Sequence, residues 1–215
     1  MTDVSVTSRT GGPARTERQW VRRGELLEAA RRVFERDGYH NATVSAIVQA
    51  AGLSQGAFYL YFSDKRAVFA ALQEEMATLL RRRIYWATRD VDDASARLEA
   101  GLLAYFEFYD EYRSWNHRLM IEGLGIDASF EARQAELYDT LSTAFRPTLS
   151  ALGVGTPELA AAALIGLASQ VAYWTHFQRA RQPSMTSRAL AQACARLFLH
   201  GAPSINTSPK GGHHA

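Results

Sequence analysis

The run TVSAIVQAAGLSQGAFYLYFSDK, residues 43–65, decides the fold. Thr43 stands just before Val44, Ile47, Val48 and Ala51, whose three- and four-residue steps make one apolar face of a short helix. Its hydroxyl can cap that helix by accepting from a backbone amide that has no partner within the helix. Gly52 comes where the chain must stop and reverse, because glycine takes a positive φ without steric cost, and Leu53 can plug the gap that follows. Ser54 caps a second helix, expected from Gln55 to about Phe62, in which Phe58 and Phe62 face the core. Gln55, Ala57, Tyr59, Leu60 and Tyr61 are left to meet whatever lies outside.

Two short helices joined by a glycine turn, with polar and small residues opening the second, form the pattern of a helix-turn-helix. In that arrangement the second helix enters the major groove. The Gln55 amide suits a bidentate contact to adenine, and the Ala57 methyl suits a thymine methyl. The Tyr59 and Tyr61 hydroxyls can donate to phosphates, and the Lys65 ammonium, at the start of the next helix, is expected to neutralise another.

Upstream, a first helix is expected from about Gln19 to Asp37, with Leu26, Leu27, Ala30, Val33 and Phe34 inward and Gly38 at its end. Arg22 and Arg23 stay outside it and join Thr43, Ser54, Gln55, Ala57, Tyr59, Tyr61 and Lys65 as candidate DNA-binding residues. Arg9, Arg15, Arg18, Arg22 and Arg23 against one acid, Glu17, make the N-terminus basic; whether this arm meets DNA is left open. Downstream, a fourth helix from near Asp64 carries Val68, Phe69, Leu72, Met76, Leu79 and Leu80 toward Thr88, with Arg81, Arg82 and Arg83 as a solvated face.

These residues resemble a family. Residues 26–72 are similar to the DNA-binding domain of TetR-type regulators: a threonine opening helix two, an Ala-Gly turn, then Ser-x-Gly-x-aromatic-Tyr-x-Tyr/His-Phe and a lysine. Here those are Thr43, Ala51-Gly52, Ser54, Gly56, Phe58, Tyr59, Tyr61, Phe62 and Lys65. The resemblance covers about a quarter of the chain and is specific because many positions match at once. It implies phosphate contacts from Thr43, Tyr59, Tyr61 and Lys65 and base contacts from Gln55 and Ala57. Gly24 departs from it, a helix-weakening residue inside helix one.

The rest of the chain fits such a protein. Of 215 residues 47% are hydrophobic and 21% charged, enough for one or two buried cores, and the formal net charge is only +2. Apolar residues recur at helical spacing and strand-like alternation is missing, so the chain is expected to be all-α. The expected organisation is a flexible basic arm over 1–18, the helix-turn-helix domain over 19–66, a larger helical effector-binding and dimerisation domain over 67–201, and a flexible tail over 202–215. The single cysteine, Cys194, gives no disulfide framework and no metal spacing, which suits a reducing cytoplasm. The N-terminus lacks a signal peptide's apolar run, and Ser169 and Gln170 interrupt the longest apolar stretch, so no membrane segment is expected.

No glycine-rich phosphate loop, nucleophile elbow, His-Glu-x-x-His or paired-cysteine spacing occurs, so no enzyme, catalytic residue, metal or cofactor is expected. The middle helices carry Tyr105, Phe106, Tyr109, Trp115, Met120, Tyr138, Phe145, Trp174 and Phe177. So many large apolar side chains suit a pocket for a small, mostly apolar effector, with Tyr109, His117 or His176 as a polar handle. His213 and His214 are incidental to the tail. The helix from about Ser129 carries Pro147, expected to kink it. Thr156 and Pro157 form a cap and first-turn pair for a helix with the small residues Ala160–Ala163, Gly166 and Ala168. A last helix from about Ser184 stacks Leu190, Cys194, Leu197 and Phe198 before Gly201. The resemblance implies that these two helices pair with their copies, giving a homodimer on double-stranded operator DNA. The reading is a ligand-responsive regulator, a repressor released by its effector; the alternatives are an architectural DNA-binding protein without effector and an enzyme acting on an apolar substrate.

Overall fold

The computed structural model describes residues 13–116, 128–175 and 185–201. They form helices only, with no strand among the described residues. In chain order these are α1 (Pro13–Asn41), α2 (Val44–Ala51), α3 (Gln55–Tyr59), α4 (Lys65–Thr88), α5 (Ala94–Glu111), α6 (Ala128–Ala151), α7 (Pro157–Tyr173) and α8 (Ser187–His200). The chain divides into two compact units, with the boundary between Leu72 and Gln73, inside α4.

In the first unit, Leu26, Leu27, Ala30, Val33 and Phe34 of α1 are buried with Ile47 and Val48 of α2, Phe58 of α3, and Val68, Phe69 and Leu72 of α4. The Phe34 and Phe69 rings meet edge to face at 4.9 Å, and Tyr39 packs on both. Each fully buried phenylalanine contributes about 1.5–3 kcal/mol, so these rings hold α2 and α3, two short helices that could not persist alone. Gly38, at φ 77° and ψ 165°, interrupts α1 where the sequence placed its end. The start differs. The helix begins at Pro13, not near Gln19, and proline's fixed φ suits a first helical position.

In the second unit α5 packs on α8, α6 and α7; α6 packs on α7, and α7 on α8. Leu98, Leu102, Tyr105, Phe106 and Tyr109 of α5 are buried with Leu141, Phe145 and Leu149 of α6, Leu164 and Ile165 of α7, and Leu190 and Cys194 of α8. Gly101 lets α5 and α6 approach: a Cβ there would lie 2.7 Å from the Phe145 ring and 3.3 Å from the Thr88 methyl. Arg83 is not simply solvated, since it pairs with Glu111 at 2.6 Å and lies over the Phe108 and Tyr112 rings, joining α4 to α5. Gln192 of α8 donates to Glu99 of α5 at 3.0 Å.

Helix α6 passes through Pro147 as one helix. Pro157 opens α7, but Thr156 makes no side-chain cap, its ψ of 73° falling short of the extended backbone from which Ser and Thr normally cap. Thr186, not Ser184, opens the last helix, accepting from the Ala189 amide at 3.2 Å. No described helix is long and apolar enough to cross a membrane.

Candidate nucleic-acid interface

The helix-turn-helix is built by its caps. Thr43, at φ −126° and ψ 154°, accepts from the Ala46 amide at 3.1 Å, and Ser54, also extended, accepts from Ala57 at 3.2 Å. Each cap contributes about 1 kcal/mol to a very short helix and leaves its hydroxyl hydrogen free to donate outward. Gly52 is left-handed at φ 65° and ψ 32°, and the Leu53 amide then reaches back to the Val48 carbonyl at 2.9 Å. Helix α3 is shorter than its apolar spacing indicates. It ends at Tyr59, after which the Tyr61 and Phe62 amides both donate to the Phe58 carbonyl, a tightened last turn.

This geometry sorts the outer face of α3. Gln55 and Gly56 are exposed, Ala57 is half-buried, and Tyr59 and Leu60 stand 56% and 80% exposed beside the fully buried Phe58. The outer face of this short helix thus carries two large side chains in water. Tyr61 is half-buried. Gly56 needs its small size for nothing inside the chain, as a Cβ there would meet only the Ser54 hydroxyl, at 3.8 Å. On α1, Arg22 is exposed and pairs with Glu25 at 3.0 Å, while Arg23 is half-buried with its guanidinium 5.4 Å from the Phe62 ring centre.

Lys65 departs from its expected role. Its ammonium donates to the carbonyls of Tyr39 at 2.7 Å, Ala42 at 2.9 Å and His40 at 3.1 Å, and lies 4.6 Å from the centre of the Tyr39 ring. An ammonium has three hydrogens, so none remains for a phosphate in this arrangement. Burial also holds its pKa below the ordinary lysine value. Tyr39, unremarked in the sequence, is thus part of the domain's frame; its signal is an aromatic placed directly after the glycine that ends α1.

The residues expected to line an effector pocket are only partly gathered. Tyr105 and Tyr109 lie together on α5, ring centres 6.1 Å apart, and the Tyr105 hydroxyl shares a buried 3.0 Å hydrogen bond with Ser169 of α7. Burial pushes both phenols above the ordinary tyrosine range, with Tyr138 adding to each. Ser169, which sequence reasoning treated only as an interruption, is buried, as are Trp115 and Phe145. Tyr138 is half-buried and lines a surface cleft of about 360 Å³ with Asp139, Ser142, Arg146, Glu158 and Ala162. Trp174 is 41% exposed, away from the core side of α7. His117, Met120, His176 and Phe177 lie outside the described residues.

Comparison with known proteins gives this site its setting. Residues 26–72 match the family of bacterial regulatory proteins, tetR family. The chain is 37% identical over 101 residues to the HTH-type transcriptional activator FasR of Mycolicibacterium smegmatis, covering 47% of this chain and 46% of that protein. It is 33% identical over 130 residues to the HTH-type transcriptional repressor AcnR of Corynebacterium efficiens, covering 60% of this chain and 64% of that one. The matches thus span about half to two thirds of these curated relatives. In fold, the chain is similar to the transcriptional regulator FadR of Bacillus subtilis, solved in complex with stearoyl-CoA, with a TM-score of 0.72 and 19% identity over 83% of this chain and 98% of that one. The helix-turn-helix segment, residues 26–72, is thus similar to the tetR family of bacterial regulatory proteins, and the all-helical fold is that of the FadR structure.

Proposed function

We propose that this chain is a ligand-responsive transcriptional regulator that binds a palindromic operator as a homodimer and is released by a small, mostly apolar effector. The observation that carries the DNA-binding part is the outer face of α3, where Gln55, Gly56, Tyr59 and Leu60 are exposed on a helix held firmly from behind by Phe58 and Phe62. In this reading Gln55 and Ala57 meet base edges, and Thr43, Ser54, Tyr59, Tyr61, Arg22 and Arg23 meet the backbone. Binding of the purified chain to duplexes from a random library tests it, and failure to enrich any sequence counts against it.

Dimerisation through α7 and α8 is supported by a stripe on α7 that is exposed among the described residues: Leu159, 69% exposed, then Ala163 and Gly166 at helical spacing. Gly166 weakens its helix by about 1 kcal/mol relative to alanine, yet a Cβ there would meet nothing within 4 Å. Close approach of a second copy of α7 gives that glycine a use.

The effector reading draws on the aromatic interior of the second unit, where Tyr105, Tyr109 and Ser169 place polar groups among apolar neighbours. The FadR structure of similar fold holds stearoyl-CoA, and a long apolar ligand is the class we infer for this chain. Relatives include both an activator and a repressor; release of a repressor is the direction we propose. Mass spectrometry of material extracted from the purified protein tests the effector. An apolar small molecule at one per chain or per dimer supports it, and an architectural protein yields none.

A further inference from the structure

We propose that Lys65 is a positioning residue, a clamp that fixes the two ends of the helix-turn-helix to each other, and that it does not bind phosphate. The inference rests on the DNA-binding reading for its functional consequence but not for its structural basis. Gly38, with φ 77°, turns the chain out of α1, and over the next four residues the carbonyls of Tyr39, His40 and Ala42 converge on the Lys65 ammonium at 2.7, 3.1 and 2.9 Å. The Tyr39 ring, 4.6 Å from the ammonium nitrogen, presents its face to the same charge.

The positions of these partners give the clamp its meaning. Ala42 immediately precedes Thr43, the cap of α2, and Lys65 follows the end of α3 by a short connection, residues 60–64. One side chain therefore ties the chain just before α2 to the chain just after α3. With Phe58 and Phe62 buried behind it, the recognition helix is held in pitch as well as in depth. A lysine suits this task because three hydrogens radiate from a single point toward three clustered acceptors. An arginine presents a planar fork, matched to the side-by-side oxygens of a carboxylate or phosphate, and cannot converge in the same way.

That difference separates the two roles. Lys65→Arg and Lys65→Met variants of the 215-residue chain, compared with wild type, are each titrated by fluorescence anisotropy against a duplex enriched by the wild-type chain, at several salt concentrations. The clamp gives both variants a lower unfolding temperature and at least tenfold weaker DNA binding, with the slope of log affinity against log salt unchanged. Wild-type affinity for Lys65→Arg, or a slope smaller by about one unit for Lys65→Met, would overturn it. Because either variant can fail to fold, the wild-type protein carries an independent measurement. With nitrogen-15 in its two lysines, the Lys65 ammonium, told apart from that of Lys210, should exchange hydrogen slowly in the DNA-free protein and stay unshifted when DNA binds. Fast exchange in the free protein, or protection that arises only with DNA, contradicts the clamp. If the wild type binds no duplex, the DNA-binding reading fails while the exchange and melting results still decide the clamp.

Discussion

Gln55 and Tyr59 share the exposed face of α3, yet the proposed interface asks different things of them. Gln55→Ala should relax base preference at one position per half-site and cost about 1–3 kcal/mol on the preferred sequence, whereas Tyr59→Phe, losing only a phosphate donor, should weaken all sequences alike. Competition titrations with single-position operator variants distinguish the two, and equal effects on every sequence from both would reject the assignment. Gly56→Ala is a sharper probe, because nothing within the chain opposes it. It should raise domain stability by up to about 1 kcal/mol while weakening DNA binding; unchanged affinity would mean that α3 does not closely approach its target. Burial pushes the Cys194 thiol up to about 11, so at pH 8 it stays protonated and shielded. A thiol reagent should label it only on unfolding, and labelling of the native chain would contradict this packing. Thr43, Gly52, Ser54 and Phe58 could be read from sequence because caps, turns and core stripes act over three or four residues. Lys65 could not, since its partners lie 23 to 26 residues upstream and meet it only once the helices have packed.

At the level of elements, the helix-turn-helix and the helical succession were legible in periodicity and punctuation, while helix ends and side-chain surroundings were not. The run before Gln19 mixes Gly, Ser, Thr and Arg without an apolar face, which hid a helix whose start is signalled by Pro13 alone. Periodicity also cannot tell a core residue from a pocket wall. Phe145 repeats like either, and only its ring against Gly101 places it in the α5–α6 packing. That contact gives a test: Gly101→Leu should destabilise the second unit by several kcal/mol, because rigid helices cannot make room for it. Gly52→Ala should cost about 1–2 kcal/mol through its left-handed backbone alone, as the space around it is open. Chemical denaturation of the two variants checks both, and a larger loss from Gly52→Ala than from Gly101→Leu would reverse this assignment of strain and packing.

For the whole molecule, the proposal joins a reading helix, a pairing surface and an interior. A lone helix-turn-helix reads too few base pairs, so in the proposed dimer the exposed stripe on α7 would serve DNA recognition by setting the spacing of two copies of α3. Gly166→Leu should leave the chain folded, because a Cβ there meets nothing among the described residues, yet shift the proposed dimer to monomer in sedimentation and abolish tight operator binding. An effector can release DNA only through unequal affinity for two dimer states, and by linkage DNA must weaken effector binding by the same factor. Helix α4, continuous from Lys65 to Thr88, is the element that we propose transmits the change. All of this depends on the chain reading a symmetric DNA sequence. Selection of duplexes from a random library by the purified 215-residue chain, followed by sequencing, measures that directly. A palindrome with half-site centres about 10 base pairs or a multiple of that apart is expected, and enrichment of an isolated half-site, or of nothing, would contradict it.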